Sequence, residues 1–237
     1  RKRKTRREDC SLGWRDTSLW RLDVATWKWR KVVMEKSADT PLHPSSQRKE
    51  FVFAAHEDKK QLFVFYGECE ESYRHSNSIF MVDLNNPRPK WQAVQTLHLA
   101  SQYKKSSAYT VVGTLVLIHG GETSGTTSTD QLEILDMDTC EMKNIPLLGQ
   151  APRPTQEHVL LPFYDHSDPE KCGAHVLCFA GYNADMGSGG SSQRERQIWL
   201  ADDCEDEGRF CYRKSLFRLN LQNMVWTRLR EATSNVM

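Results

Sequence analysis

"SLFRLNLQNMVWTRL", residues 215–229, is the stretch that decides the fold, because its pattern recurs along the chain. Its first half alternates apolar and polar residues, a short polar break follows, and Trp226 and Leu229 lie beyond the break. Alternation with a period of two on both sides of a turn is typical of an antiparallel strand hairpin. The other copies are "SLWRLDVATWKWRKV" (18–32), "SIFMVDLNNPRPKWQAV" (78–94) and "QLEILDMDTCEMKNI" (131–145). The sequence therefore predicts an internal repeat built on this hairpin.

A second repeated phrase, an apolar run that ends in glycine, lies upstream of three of these hairpins. Its copies are "QLFVFYGE" (61–68), "GTLVLIHGGE" (113–122) and "AHVLCFAGY" (174–182). Continuous apolar runs of this length indicate buried strands, and the glycine after each run, taken as Gly67, Gly120 and Gly181, indicates a positive φ or a close backbone approach. A further candidate strand precedes each run, in "FVFAAHE" (51–57), "SSAYTVV" (106–112) and "EHVLLPFYD" (157–165). The predicted unit is four short strands.

This unit resembles the kelch repeat, in which each repeat is one four-stranded blade of a β-propeller. The resemblance rests on "LIHGGE", "FVFYGE" and "CFAGY", on the four hairpins, and on the openings "PRPTQEHV" (152–159) and "SQRKEFVF" (46–53). We expect Glu68 and Tyr182 to replace the second glycine of the family pattern, and the third hairpin has no Trp. The usual tyrosine of the third strand is replaced by Trp20, Phe80, Glu133 and Phe217. The resemblance implies an all-β, kelch-type propeller of four-stranded antiparallel blades.

We expect about three and a half blades over residues 18–230, after a basic tail at 1–17 and before a short tail at 231–237. The blades are predicted at 18–33 (a half-blade), 46–94, 104–145 and 152–229, with a long insertion at 183–214 in the last one. The half-blade has only its two outer strands, and the chain opens with Arg rather than Met. Either further blades belong to a longer protein, or an unusual small or paired propeller forms, and we expect the first because an open propeller leaves exposed sheet edges.

Composition favours a soluble globular protein without a membrane segment. Hydrophobic residues make up 38% of the chain and charged residues 27%, and the sequence has no apolar run long enough to span a bilayer. There is no secretory signal pattern. The cysteines are seven, an odd number at irregular spacing, which indicates free thiols in a reducing compartment. We expect a protein of the cytoplasm or the nucleus.

The basic run "RKRKTRR" (1–7) is the main asymmetry of charge. Without its six basic residues, 26 basic and 31 acidic residues remain, a net charge of −5. Such a tail suits either a solvated linker or a nuclear localisation or nucleic-acid contact. The acidic remainder argues against nucleic-acid binding by the propeller itself.

Neither a cofactor nor a catalytic site is expected from the motifs. Cys172, His175 and Cys178 do not have a recognised zinc-ligand spacing, so no metal site is predicted. A copper-oxidase type of site could draw on Tyr66, His119 and Tyr164, but nothing in the sequence links them, and the Asp-box turns of propeller sialidases are absent. "GSGGSS" (187–192) lacks the following Lys of a phosphate-binding loop. An enzyme or small-molecule site remains the alternative interpretation.

The leading hypothesis is a protein-interaction module, with its site on the loops that join the second and third strands of each blade. These loops are 68–77, 122–130 and the insertion, whose length for a compact blade indicates a function or disorder. Exposed arginines and aromatic residues are common at binding hot spots, and arginine suits an acidic or phosphorylated partner segment. The partner-binding candidates are Tyr73, Arg74, His75, Arg194, Arg196, Trp199, Arg209, Phe210 and Arg213.

Other repeated positions have two interpretations. Arg48 and Arg153 could line the central channel of a propeller and contact a peptide, or they could hydrogen-bond within and between blades. Trp29, Trp91 and Trp226 are expected to pack between blades, and His119 and His158 to be structural.

The resemblance implies a substrate receptor of a cullin-type ubiquitin ligase, or a cytoskeletal or chromatin scaffold, although no BTB or F-box segment is visible in these residues.

Overall fold

A computed structural model describes residues 18–35, 48–69, 78–96, 104–123, 127–163, 175–183, 204–206, 211–213 and 215–229. All the regular secondary structure in these ranges is β-strand. Consistently, the described part of the chain contains no helix that is long and apolar enough to cross a membrane. The prediction of an all-β chain is confirmed.

The predicted blades are present as separate antiparallel sheets. Half-blade 1 is a two-stranded sheet of β1 (Trp20–Asp23) and β2 (Lys28–Lys31). Blade 2 has the order β4 (Val52–His56), β5 (Gln61–Phe65), β7 (Ile79–Asp83), β8 (Trp91–Val94). Blade 3 has the order β9 (Ala108–Val112), β10 (Leu115–His119), β11 (Leu132–Asp136), β12 (Glu141–Ile145). Blade 4 has the order β14 (Val159–Phe163), β15 (His175–Phe179), β19 (Leu216–Asn220), β20 (Val225–Leu229).

Short strands complete the architecture. β3 (Arg48–Lys49) pairs with β6 (Glu68–Cys69) next to blade 2. β13 (Leu148–Gly149) adds a parallel strand to the outer edge of blade 4 by pairing with β20. β16 (Tyr182–Asn183), β17 (Cys204–Asp206) and β18 (Cys211–Arg213) form a small sheet with β18 in the middle.

The outer hairpins share a turn, which explains why their sequences are alike. Asp23 Oδ1 accepts hydrogen bonds from the backbone N–H groups of Ala25 and Thr26 at 3.0 and 3.2 Å. The residues in the same place in the other hairpins accept equivalent bonds two residues on, at 2.8–2.9 Å: Asp83, Asp136 and Asn220. A short Asx side chain that bonds to the backbone ahead of it stabilises a tight turn.

The core lies between the blades, since each blade packs one face against the next. The cluster between blades 2 and 3 contains Val52, Phe65, Ile118 and Leu135. The cluster between blades 3 and 4 contains Leu117, Ile134, Val176 and Trp226. The opposite face of blade 4 exposes apolar side chains, among them Val159, Leu161, Phe163 and Phe179.

The glycine alignment made from the sequence was wrong by one residue at the third blade. The strand register makes Gly67, Gly121 and Gly181 equivalent, because each lies two residues beyond the partner of the first residue of its inner strand. All three have positive φ, of 84°, 97° and 91°. The preceding residues, Tyr66, Gly120 and Ala180, are also left-handed. It is therefore the first glycine of the family pattern, not the second, that Tyr66 and Ala180 replace.

The expectation that every repeated Trp packs between blades was wrong for Trp29. Trp29, Trp91 and Trp226 pair with equivalent residues of their hairpins, Leu22, Val82 and Leu219. Yet Trp91 and Trp226 are 8% and 1% exposed, whereas Trp29 is 63% exposed. In the described part of the chain, half-blade 1 has no inner strands beside it, so the Trp29 indole has little to pack against.

Candidate functional site

The repeated left-handed turns build one continuous surface at the end of the blades, which we call the loop face. It comprises residues 48–50, 66–69, 104–107, 120–123, 155–158 and 180–183. In each blade the segment that leads into the inner strand lies against the segment that follows the second strand. Lys105 and Glu122 exchange both backbone hydrogen bonds, at 2.8 and 3.0 Å, and Gln156 and Tyr182 do the same at 3.0 Å.

Hydrogen bonds join neighbouring blades across the loop face at equivalent positions. The backbone N–H of Gly67 donates to Lys104 O at 3.0 Å, and that of Gly121 donates to Thr155 O at 2.7 Å. The N–H of Glu157 donates to Ser106 O at 3.0 Å. Such bonds between rigid sheets fix the backbone of the face, which is the usual basis for functional loops on a scaffold.

The second left-handed residue of each turn has to be glycine, because a side chain there would overlap with neighbouring atoms. A Cβ on Gly67 would lie 2.6 Å from Lys49 O and 2.7 Å from Phe51 Cβ. A Cβ on Gly121 would lie 2.8 Å from Lys105 O, and one on Gly181 2.7 Å from Gln156 O. The glycine lets the two segments of the face approach closely enough to pair.

Charged side chains of both signs cover the loop face at blades 2 and 3. Lys105 Nζ lies 3.5 Å from Glu68 Oε2 and 3.4 Å from Glu122 Oε1, and Lys49 Nζ lies 3.6 Å from Glu68 Oε2. The Ser106 hydroxyl donates to Glu50 Oε2 at 2.5 Å. Partial burial disfavours the charged form of Lys105, but the Glu122 and Glu68 carboxylates outweigh it and raise the pKa of this ammonium.

A buried polar cluster lies beneath this surface, between blades 2 and 3. Lys104 Nζ and the Tyr66 hydroxyl each donate to Glu133 Oε2 at 2.8 Å. Burial lowers the pKa of Lys104, against the opposing effect of Glu133, and it raises the pKa of Tyr66 far above its usual value, with the Glu133 charge adding to the increase. Glu133 Oε2 therefore accepts two hydrogen bonds inside the protein, one from Lys104 and one from Tyr66.

The structure locates both channel candidates near this surface. Arg48 is half-buried, donates from Nη1 to Tyr66 O at 2.8 Å, and has its guanidinium 5.6 Å from the centre of the Phe80 ring. Arg153 is also half-buried and lies four residues before Glu157, which precedes the inner strand of blade 4. The strand register makes Arg48 equivalent to Lys104 and Thr155 rather than to Arg153.

Of the partner-binding candidates, only Arg213 belongs to the described residues, and what is described of it is its backbone, in strand β18. It ends β18, which pairs with β16 of the loop face through Cys211 and Asn183 and through Tyr212 and Tyr182. The last part of the insertion therefore returns to the loop face. The other candidates lie outside the described residues: Tyr73, Arg74, His75, Arg194, Arg196, Trp199, Arg209 and Phe210.

Of the residues considered for a copper-oxidase type of site, the two that the structure describes, Tyr66 and His119, lie in different blade interfaces. Tyr66 belongs to the cluster between blades 2 and 3. His119 lies between blades 3 and 4, where its Nδ1 is 3.0 Å from His158 Nε2 and its ring centre is 5.4 Å from that of Trp226. Tyr164 lies outside the described residues.

Sequence reasoning missed Lys49, Lys105 and Glu122 as surface residues of the site, and Lys104 with Glu133 as the pair beneath it. The available signal was the position four residues before the inner strand, which is basic in blade 2 (Arg48) and in blade 3 (Lys104). The second signal was Glu133, a charged residue at a position that carries an aromatic side chain in the other three hairpins.

Comparison with known proteins agrees with this geometry. The family model of the KLHDC2/KLHL20/DRC7 Kelch-repeats domain matches residues 8–167. The chain belongs to this kelch-repeat family. Kelch-repeat domains of this kind are generally protein-interaction modules.

Solved structures support the same fold for this kelch chain. Among 152 matching chains is one described as "Structure of YjhT", with a TM-score of 0.52 and 14% sequence identity. The alignment covers 82% of the kelch chain and 54% of the other chain, so the kelch chain spans about half the length of that relative. No curated protein sequence matches the chain.

Proposed function

We propose that this chain is a non-catalytic protein-interaction module that holds a segment of a partner protein on the loop face. The observation that carries the proposal is the pairing of β18 with β16, which ties the end of the long insertion to the rigid backbone of the face. A segment of about thirty residues that starts and ends on one surface can cover a bound peptide there. Membership of a family of interaction modules supports the same conclusion.

The partner we propose is an acidic or phosphorylated segment, and the insertion supplies the reason. Arg194, Arg196, Arg209 and Arg213 belong to the insertion, and guanidinium groups bind carboxylates and phosphates through two parallel hydrogen bonds. The described part of the loop face would orient such a segment rather than attract it, because its lysines are balanced by Glu50, Glu68 and Glu122. Specific attraction should therefore depend on the insertion.

The test is affinity capture from cell lysate followed by quantitative mass spectrometry, with three forms of the protein. They are the wild type, the double variant Arg194→Glu/Arg196→Glu, and Lys143→Glu as a matched control. Lys143 lies in the outer strand β12, away from the loop face, and its side chain is 60% exposed. We expect a discrete set of proteins that the control retains and the double variant loses.

Treatment of the lysate with phosphatase divides the proposed partners into two classes. Loss of binding after treatment identifies a phosphorylated segment, and retention identifies an acidic one. A cullin subunit in the retained set would support a role as a substrate receptor of a ubiquitin ligase. A captured set that is the same for all three forms would contradict a loop-face site that depends on the insertion.

A further inference from the structure

We propose that His119, His158 and Cys178 form a metal-binding site that joins blade 3 to blade 4. The site suits a borderline or soft cation, and Zn²⁺ is the cation used to test it. One ligand atom from each residue lies within 4.8 Å of the other two, and all three side chains are buried. His119 Nδ1 and His158 Nε2 are 3.0 Å apart. Two nitrogens bound to the same zinc ion at ~2.0–2.1 Å are separated by a similar distance.

The three residues come from both sides of one blade interface. His119 ends β10 of blade 3, His158 precedes β14 of blade 4, and Cys178 lies in β15 of blade 4. Two imidazoles and a thiolate are a ligand set that suits Zn²⁺ or a copper ion far better than Ca²⁺ or Mg²⁺, which take oxygen ligands. His158 also belongs to a segment of the loop face, but its side chain and those of His119 and Cys178 are buried beneath that surface.

Comparison of the blades shows that the fold does not require these side chains. By strand register, the interface between blades 2 and 3 has Phe65 where the next interface has His119, and Ile118 where it has Cys178. Ser107 occupies the place of His158. The same interface is therefore filled by phenylalanine, serine and isoleucine in one repeat and by two histidines and a cysteine in the other.

The site differs from the cysteine cluster weighed in the sequence. His175 and Cys178 are three residues apart in one strand, so their side chains leave opposite faces of the sheet. Cys178 instead points into the interface with blade 3, among the buried residues that include Leu117 and Trp226. The expectation of no metal site came from spacing along the chain, whereas this group forms across two repeats.

Metal binding at this site would move protons in a defined way. The proton shared between the two rings shifts to the outer nitrogen of the ring that donated it, which frees Nδ1 of His119 and Nε2 of His158. The Cys178 thiol loses its proton to solvent and binds as the thiolate. One proton is released for each ion bound.

The experiment is to equilibrate the reduced full chain with Zn²⁺, remove the excess by gel filtration, and measure the metal bound per chain. Cys178→Val and His119→Phe should each lose one equivalent, and each introduces a residue that another blade carries at the same position, Val64 or Phe65. Cys140→Ser, which changes a cysteine in the β11–β12 turn, should keep it. Equal metal content in all four proteins would overturn the proposal.

A second measurement on the unaltered protein does not depend on how the variants fold. Loading with Co²⁺ should give the near-ultraviolet charge-transfer band of a cobalt–thiolate bond together with the intense visible bands of a tetrahedral site. Zn²⁺ should also raise the midpoint of thermal unfolding of the wild type and of Cys140→Ser. A Co²⁺ spectrum without the thiolate band, or a wild type that binds no metal, would equally overturn the proposal.

Discussion

The Nζ atom of Lys104 lies 2.8 Å from Oε2 of Glu133, and both side chains are 0% exposed. The pair is in the blade 2–blade 3 interface, where the Tyr66 hydroxyl of the neighbouring blade also donates to Glu133. The equivalent pair in blade 2 is Arg48 with Phe80, a cation above an aromatic ring. One structural position is thus filled by an ion pair in one repeat and by a cation–π contact in another.

Removal of one partner from the Lys104–Glu133 pair should be strongly destabilising. Glu133→Leu removes the carboxylate that accepts the hydrogen bond of the buried Lys104 and should reduce the free energy of unfolding by about 3–5 kcal/mol. The double variant Lys104→Met/Glu133→Leu removes both charges and should cost much less than the two single variants together. Urea denaturation of the four proteins measures the coupling energy, which we expect to exceed about 2 kcal/mol.

The matched control for this cycle is the exposed pair of Lys143 and Glu141, whose charged atoms are 2.9 Å apart. Its coupling energy should be below about 1 kcal/mol, because water screens the attraction. Additive costs for Lys104 and Glu133 would show that the buried contact does not couple them.

Asp138 should give the chain a dependence of stability on acid pH. The Lys59 ammonium and, next, the His56 ring hydrogen-bond to its carboxylate from the neighbouring blade, and they lower the pKa of Asp138 to about 2. An aspartate in an unfolded chain titrates near ~3.9. The stabilisation is therefore fully present above about pH 4 and is lost as pH falls from there towards 2.

The measurement is an NMR titration of the Asp138 carboxyl carbon in the wild type and in Lys59→Met. We expect a midpoint near 2 in the wild type and a clearly higher one in the variant, with a smaller loss of stability across the same pH range. Identical midpoints in the two proteins would show that the contact with Lys59 does not persist in solution.

The destabilisation that a side chain at Gly67 causes by steric overlap should be separable from the destabilisation caused by the positive φ. Gly67→Ala places a methyl group 2.6 Å from Lys49 O at a φ of +84°. Gly113→Ala tests φ alone, because Gly113 has a φ of +61° and nothing within 4 Å of its added Cβ. We expect a cost of about 1–2 kcal/mol for Gly113→Ala, and a further ~1–3 kcal/mol for Gly67→Ala from the overlap.

Thermal or urea unfolding of both variants provides the comparison. If Gly67→Ala were no more destabilising than Gly113→Ala, the two segments of the loop face could separate at little cost, and their pairing would not fix the surface.

The strands and hairpins could be predicted from the sequence because each is a local pattern. Alternation around a turn and the Asx residue that closes it, such as Asp136, lie within a few neighbouring residues of the chain. The contacts between repeats could not be predicted in the same way. Whether Glu133 meets Lys104, or Cys178 meets His119, depends on the register of strands and on which blade face packs against which.

The error in the glycine alignment has the same origin. The sequence offers Gly120 and Gly121 as adjacent candidates, and only the pairing of Ala108 with His119 determines which one corresponds to Gly67. The candidate site was likewise only partly predictable. The loops were identified by their place between the second and third strands of each blade, whereas the charged surface of Lys49, Lys105 and Glu122 depends on contact between two segments of each blade.

The final prediction concerns the same residue type at equivalent positions of two hairpins. Trp226 is 1% exposed in the blade 3–blade 4 interface, and Trp29 is 63% exposed in half-blade 1. Trp226→Ala should therefore cost about 3–5 kcal/mol, because it removes a large buried side chain and leaves a cavity. Trp29→Ala should change the free energy of unfolding of this chain by less than about 1 kcal/mol.

Denaturant unfolding of the two variants measures this difference directly, and the wild-type chain is the reference for both. Repeating the Trp29→Ala measurement in a longer protein that contains this chain makes the comparison sharper. If added sequence supplies inner strands beside half-blade 1, the cost should rise towards that of Trp226→Ala. A cost near that of Trp226→Ala in the present chain would instead show that Trp29 is already packed, contrary to its exposure.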